Sequence, residues 1–325
     1  MPVTLAQAQQ TAVTDLDVSV IDEFRVNQLM DLLTFDDAVN PAGGGATLTY
    51  GYRRQITTGT AQFRAINSEY TPTEVTTQQY NVDLKVLGGS FQVDRVLARI
   101  GPAASGAVAL NMADKIRATQ AQFGDAIING DSATTPNSFD GLSKALAGSS
   151  TEDTTAFDWS GTMDEAKSYL VIETLDDLLG RLDGQATAII ANTKAINRVK
   201  SALRRTGQFT QVPGPRNTMR DFYGNIALVD AGLKAGSASN VIPVNVADPD
   251  GAGPLTAGST AIYAVRAGLD GFHGVTTVGS PLITQWMPDF TSAGAVKTGE
   301  VEMGPVATAL KATKAAAVLR NVKVQ

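Results

Sequence analysis

The chain has 325 residues, 43% hydrophobic and 18% charged, with net charge −6 and pI near 4.9; this is a globular composition without the basic excess of a surface that grips nucleic acid. Cysteine is absent, which excludes disulfides and thiolate chemistry and leaves zinc only oxygens and one imidazole. The first residues, M-P-V-T-L-A-Q-A-Q-Q, have neither the basic nor the apolar part of a secretory signal, and no run approaches ~18 apolar residues, so a protein made and first used in the cytosol is expected, with no membrane partner.

The length is a soft prior for two domains. Residues 1–13 carry no charge and read as an extended or loose arm. Thr14 and Asp17 fit a capping box. Leu16, Val20, Phe24, Val26, Leu29, Met30 and Leu33 then outline a short amphipathic helix, which packs either on its own domain or on a neighbour. Pro41 to Gly45 breaks the chain. Beyond it Leu48, Tyr50 and Tyr52 alternate with Thr47, Thr49 and Gly51, and Tyr80, Val82, Leu84 and Val86 alternate with Asn81, Asp83 and Lys85. That period of two predicts a pair of antiparallel strands. Between them residues 57–79 form a long Thr-rich projecting loop, of a length that is usually functional or disordered. Phe91 and Val93 lie on odd positions, so a bulge or bend is expected at Gly88-Gly89. Gly43, Gly44, Gly45, Gly88 and Gly89 thus sit at the feet of both legs, as plain turns or as hinges of a movable arm.

A long helix is expected over Ser105–Asn129, capped by Ser105, with Ala109, Met112, Ala113, Ile116, Phe123 and Ile127 on one face and a left-handed stop at Asn129-Gly130. At 1.5 Å per residue it spans roughly 35 Å. A loop over Thr134–Gly141 and a helix over Asp164–Leu182 follow, then a strand at Ala186–Ala191. Asn192 or Thr193 caps a basic helix ended by Gly207. Strands are expected at Ile226–Val229, Val241–Val246 and Ala261–Ala267, so residues 146–269 read as an α/β domain. From Phe272 β signals dominate, at Val275–Val278, Leu282–Trp286 and Glu300–Met303. The tail Leu310–Val324 is ambiguous: alanines favour helix, and Val318, Val322 and Val324 favour strand.

Nucleophile elbows, phosphate loops and zinc-protease motifs are absent. The sole histidine, His273 in G-F-H-G, reads as a turn residue rather than a catalyst. Asp248-Pro249-Asp250-Gly251 lacks the later ligands of a calcium loop and reads as a turn. Asp36-Asp37 and Asp176-Asp177 read as solvated faces. Lys194, Arg198, Lys200, Arg204 and Arg205 form a basic cluster that is either a solvated helix face or a phosphate contact. No constellation supports an enzyme, and neither cofactor nor metal is expected.

The order of parts resembles the major capsid proteins of tailed bacteriophages, the Hong Kong ninety-seven-type fold. An arm leads to a long hairpin, then to a helix running into Asn129-Gly130-Asp131, a loop, and Gly141-Leu142. A Tyr223-Gly224-Asn225-Ile226-Ala227 element follows in the second domain, and a late strand at Ala315–Leu319. The resemblance implies an α+β fold, with residues 1–39 as N-arm, 40–92 as extended E-loop hairpin, 93–145 as peripheral domain with a spine helix, 146–269 as α/β axial domain, and 270–325 as return strands of the peripheral domain. It implies a non-enzymatic shell protein of the virion, assembled in the host bacterial cytoplasm. Pentamers and hexamers would enclose packaged double-stranded DNA without sequence-specific contacts. It also implies a portal protein, an optional decoration protein, and a separate scaffold protein, since no long charged helical region precedes the arm. An encapsulin-like compartment shell is the alternative within the fold, and an undescribed α/β enzyme the alternative outside it. Arg53, Arg54, Arg64, Glu69 and Glu74 on the hairpin are expected to pair across subunits. Some relatives join an E-loop lysine to a neighbour's asparagine. Residues 57–79 hold no lysine, the nearest being Lys85, and a guanidinium is a poor nucleophile, so no cross-link is expected.

Overall fold

The computed structural model describes residues 29–39, 46–96, 102–213, 219–244, 258–277 and 282–325. The arm up to residue 28, Gly43 to Gly45 and the Asp248–Gly251 turn lie outside them. Five α-helices are described: α1 (Leu29–Leu32), α2 (Pro102–Asn129), α3 (Leu142–Leu146), α4 (Glu165–Gly180) and α5 (Thr193–Thr206). The strands are β1 (Phe35–Ala38), β2 (Thr49–Gln55), β3 (Thr77–Asp83), β4 (Lys85–Asp94), β5 (Glu152–Asp153), β6 (Phe157–Asp158), β7 (Ala188–Ala191), β8 (Phe209–Pro213), β9 (Met219–Tyr223), β10 (Ile226–Asp230), β11 (Ser259–Val265), β12 (Phe272–Thr277), β13 (Ile283–Trp286), β14 (Val296–Leu310) and β15 (Ala316–Lys323).

One sheet runs β1-β12-β14-β13, with β4 also paired to β14. The fifteen-residue β14 is its axis: its C-terminal part pairs with β12 and its N-terminal part with β4 and β13. The β4 register shifts between Met303 and Val306, where Pro305 has no N–H to give the ladder. Helix α2 lies across this sheet. It begins at Pro102, upstream of Ser105, so Ser105 falls inside it rather than at its cap. Proline is well suited to a first helical position because its N–H would be unpaired there anyway. The buried stripe runs through Val108, Met112, Thr119, Phe123 and Ile127, while Ala109 is exposed. Phe123 is sealed between Phe35 and Phe139, at ring-centroid distances of 6.1 and 5.7 Å. Burial of a side chain of this kind contributes about 1.5–3 kcal/mol.

The helix stop differs from expectation in mechanism. Gly130 is not among the positive-φ residues. A Cβ there would stand 2.3 Å from the Phe139 carbonyl oxygen, and one at Gly141 would stand 2.6 Å from that of Ala126. The Gly141 N–H donates to the Gly130 carbonyl at 2.8 Å. The two glycines let two backbones cross in contact, a requirement of approach rather than of handedness.

The second sheet runs β5-β15-β11-β7-β10-β9-β8, with β6 also on β15. Helices α4 and α5 cover one face, where Val171, Leu175, Val199 and Leu203 meet Ile189, Ile262 and Leu319. The alternate residues Ala188, Ile190, Tyr263 and Val318 face the core shared with α2 and the first sheet. Burial on both sides explains the unbroken apolar runs of β7 and β11. Asp164 caps α4 through the Lys167 N–H. Asn192 caps α5 through the Ala195 N–H, and Gly207 closes it at φ 73°.

Three further expectations change. The ambiguous tail is a strand, and β15 pairs with β11 in the second sheet, so residues 270–325 do not all return to the first. The expected strand at Val241 forms no ladder over its described residues: Val241 and Ile242 are buried, but Pro243 cannot donate. The inward parity switches between Leu84 and Lys85, not at Gly88-Gly89; β4 keeps odd positions inward throughout.

Candidate subunit interface

Strands β2 and β3 form a two-stranded sheet of their own, paired from Thr49↔Asp83 to Gln55↔Thr77. Their inward row is Tyr50, Tyr52, Arg54, Tyr80 and Val82; the outward row includes Arg53, Gln79 and Asn81. The inward row seats the hairpin on the end of β14. Tyr52 Oη donates to the Leu310 carbonyl at 3.0 Å. Arg54 Nε donates to the Lys311 carbonyl at 2.9 Å, a terminal nitrogen donates to the Leu310 carbonyl, and the other reaches Thr313 Oγ1 at 3.3 Å. The guanidinium also lies 4.4 Å from the Tyr80 ring centroid, and Tyr80 stacks on Tyr52 at 5.9 Å. Nearer the foot, Tyr50 Oη donates to Asp36 Oδ2 at 2.6 Å. Burial and the Asp36 carboxylate push the Tyr50 phenol well above its usual range. Burial also opposes charge on Asp36, but the Tyr50 hydroxyl, the Asp37 N–H and Lys311 outweigh it, and the carboxyl sits below its usual range.

Beyond Gln55 and Thr77 the loop is exposed throughout. Threonines hold it: Thr57 Oγ1 lies 2.8 Å from Thr76 Oγ1 and accepts the Thr76 N–H at 2.9 Å, and the Thr60 N–H reaches Thr73 Oγ1 at 3.3 Å. Arg64 closes the tip on the Ala65 and Ser68 carbonyls at 3.3 and 3.2 Å, over the Tyr70 ring. With the polar groups turned inward, Phe63 is fully solvent-exposed and Ile66 is 91% exposed.

The five charges therefore part company. Arg54, expected to pair across subunits, is engaged by its own chain; as the inward row of β2, Tyr50 and Tyr52 carry it to the body. Arg64 is likewise used within its loop. Arg53, Glu69 and Glu74 are exposed and make no hydrogen bond or ion pair among the described residues. Gly88 and Gly89 lie inside the β4–β14 ladder opposite Glu302 and Val301. A Cβ on Gly88 would meet the Val301 carbonyl oxygen at 2.5 Å, so a close approach, not a positive φ, explains this glycine. Phe63 and Ile66 were missed from sequence; two large apolar residues inside a polar loop were the available signal.

The basic helix is largely spoken for. Arg198 donates to the carbonyls of Gly161 and Val324, Lys194 reaches Gln325, Lys200 pairs with Asp221 at 2.6 Å, and Arg204 lies over Phe209. A cavity of about 240 Å³ beside this helix is lined by Asp31, Thr193, Lys200, Asp221 and Asp230 among others. Its Lys200 faces Asp221 and its Thr193 donates to Asp230, so the polar groups answer one another. No cluster of metal-ligating side chains occurs among the described residues, and no described helix is long and apolar enough to cross a membrane.

No protein-family model matches the chain, and no curated protein matches it. Solved structures do. The encapsulin of the holo-SrpI complex from Synechococcus elongatus is 17% identical, with TM-score 0.59, over 100% of this chain and 98% of that one. The capsid of the native GTA particle is 12% identical, with TM-score 0.60, over 95% and 96%. The capsid of cyanophage A-1(L) is 11% identical, with TM-score 0.57, over 99% and 100%. Identity this low speaks to fold alone, and the matched structures are mostly tailed-phage capsids.

Proposed function

We propose, from a chain that carries the tailed-phage capsid fold over nearly its full length, that this protein is a major capsid protein whose copies close into an icosahedral shell around double-stranded DNA. The observation that supports this reading is the hairpin. It stands off the body and ends in two large apolar side chains that its own chain leaves in water, as expected of a segment completed by another subunit. Each such side chain, once covered, contributes about 1.5–3 kcal/mol, and ring closure multiplies many modest contacts. In this reading the first sheet with α2 is the peripheral domain, and the second sheet with α4 and α5 the axial domain, lining five-fold and quasi-six-fold axes. The role is structural, with no turnover. A scaffold protein, a portal and an optional decoration protein complete the particle, which assembles in the bacterial cytoplasm. The acidic net charge fits DNA held without a grip, since few counterions would be released.

The test is electron microscopy of the expressed protein, alone and with the products of genes adjacent to its own. Closed icosahedral particles support the proposal. Only compact monomers at high concentration, with those products supplied, would refute it. The encapsulin match favours a second reading, a compartment that holds protein cargo; shells isolated from their native source with protein and no DNA inside would select it.

A further inference from the structure

We propose that the foot of the hairpin is a proton-operated latch, in which His273, covered by Tyr50, favours a seated hairpin when neutral and a lifted hairpin when protonated. His273 was expected in a turn. It lies instead within β12, fully buried, and neither ring nitrogen has a hydrogen-bond partner among the described residues. The ring against it belongs to the hairpin: Tyr50 meets His273 edge to face, with centroids 5.8 Å apart. Tyr50 is in turn tied to Asp36 on β1, and Lys311 Nζ stands 3.6 Å from the same carboxylate oxygen.

The charges around the imidazole come from several elements: Asp36 from β1, Lys311 from the end of β14, and Asp270 from the turn before β12. The backbone at Gly271 lies close without meeting hydrogen-bond geometry. Burial and then Lys311 push the imidazole below its usual range, against Gly271, Asp36 and Asp270. An imidazolium here would hold two N–H donors away from water, at a cost that Asp36 and Asp270 offset only in part. Lifting Tyr50 would admit water and restore an ordinary value near 6.5.

The sign follows. The seated state carries the depressed value, so its advantage is complete above about pH 6.5 and falls as pH drops through that point toward the depressed value. The further the seated value lies below that point, the more the ratio of lifted to seated hairpins rises, up to a limit of about tenfold by pH 5.5. The carboxyl at Asp36 titrates below its usual range, outside this window.

The chain suits the test, because it has one histidine and no cysteine. Spin labels on Thr71→Cys at the loop tip and Asp177→Cys on α4, both exposed, report the hairpin distance in the unassembled full-length protein. One population is expected at pH 7.5, with a second that grows as the pH falls, by up to about tenfold by pH 5.5. The growth should vanish in His273→Gln. The single imidazole resonance should titrate below 6.5 and move up toward that value in Tyr50→Ala. The proposal is overturned if the wild-type distances do not change, if His273→Gln shows the same change, or if the wild-type imidazole titrates at 6.5 or above. Should His273→Gln fail to fold, the imidazole titration still decides. All readouts use single chains, so the outcome does not depend on whether shells form.

Discussion

Replacing Arg54 by alanine should loosen the folded chain, whereas the same change at Arg53, its immediate neighbour, should not. Arg54 donates to the carbonyls of Lys311 and Leu310 and to Thr313, and lies over Tyr80. A hydrogen bond from a charged donor contributes about 1.5–3 kcal/mol. The side chain is half-buried, so water replaces part of what is lost and the low end applies. The two carbonyl contacts then give about 3 kcal/mol, and the contact with the ring adds about 0.5 kcal/mol. The 3.3 Å bond to Thr313 is too long to add much. A destabilisation of about 3.5 kcal/mol is therefore expected for Arg54→Ala, against less than about 0.5 kcal/mol for the exposed Arg53→Ala. Urea unfolding of the unassembled protein, followed by circular dichroism at unchanged slope, measures both. Equal midpoints for the two variants, or a loss at Arg54 below about 1 kcal/mol, would refute the idea that this arginine seats the hairpin.

Phe63→Ser with Ile66→Ser should leave the unfolding midpoint unchanged, since both side chains are exposed, yet abolish particles in the microscope; normal particles would show that the tip is not an interface. Gly88→Val should destabilise by about 1–3 kcal/mol through overpacking, because its Cβ meets the Val301 carbonyl oxygen at 2.5 Å; an unchanged denaturation midpoint would contradict that close approach. Arg320 and Glu152 form an ion pair with side chains 4% and 6% exposed, so Arg320→Ala should cost about 3–5 kcal/mol by stranding the carboxylate, visible as a large fall in thermal midpoint. Assembled particles should run on a denaturing gel as one band near 34.0 kDa, because the projecting loop has no lysine; a ladder that survives boiling would refute this and make Lys85 the first residue to change.

Where structure depends on neighbours in the chain, much of it was legible in the sequence. Helix α5 was legible at both ends, because Asn192 and Gly207 act on the first and last turns whatever surrounds them. The hairpin was legible because period two needs only its own residues. The same alternation puts Arg54 in line with Tyr50 and Tyr52, so its inward aim was readable from the chain itself. Other features depend on partners far along the chain, and only the tertiary structure decided them. Ala316–Lys323, in a tail whose alanines favour helix, is a strand because β11 and the two-residue strands β5 and β6 offer it ladders, which outweighs its helix propensity. Gly130 and Gly141 are glycines because two segments cross there, a fact that no local pattern encodes. His273 reads as a turn residue between glycines, yet it is sealed by Tyr50, a residue far earlier in the chain. Burial of that kind is a property of packing, and a sequence specifies packing only once the whole chain has closed on itself.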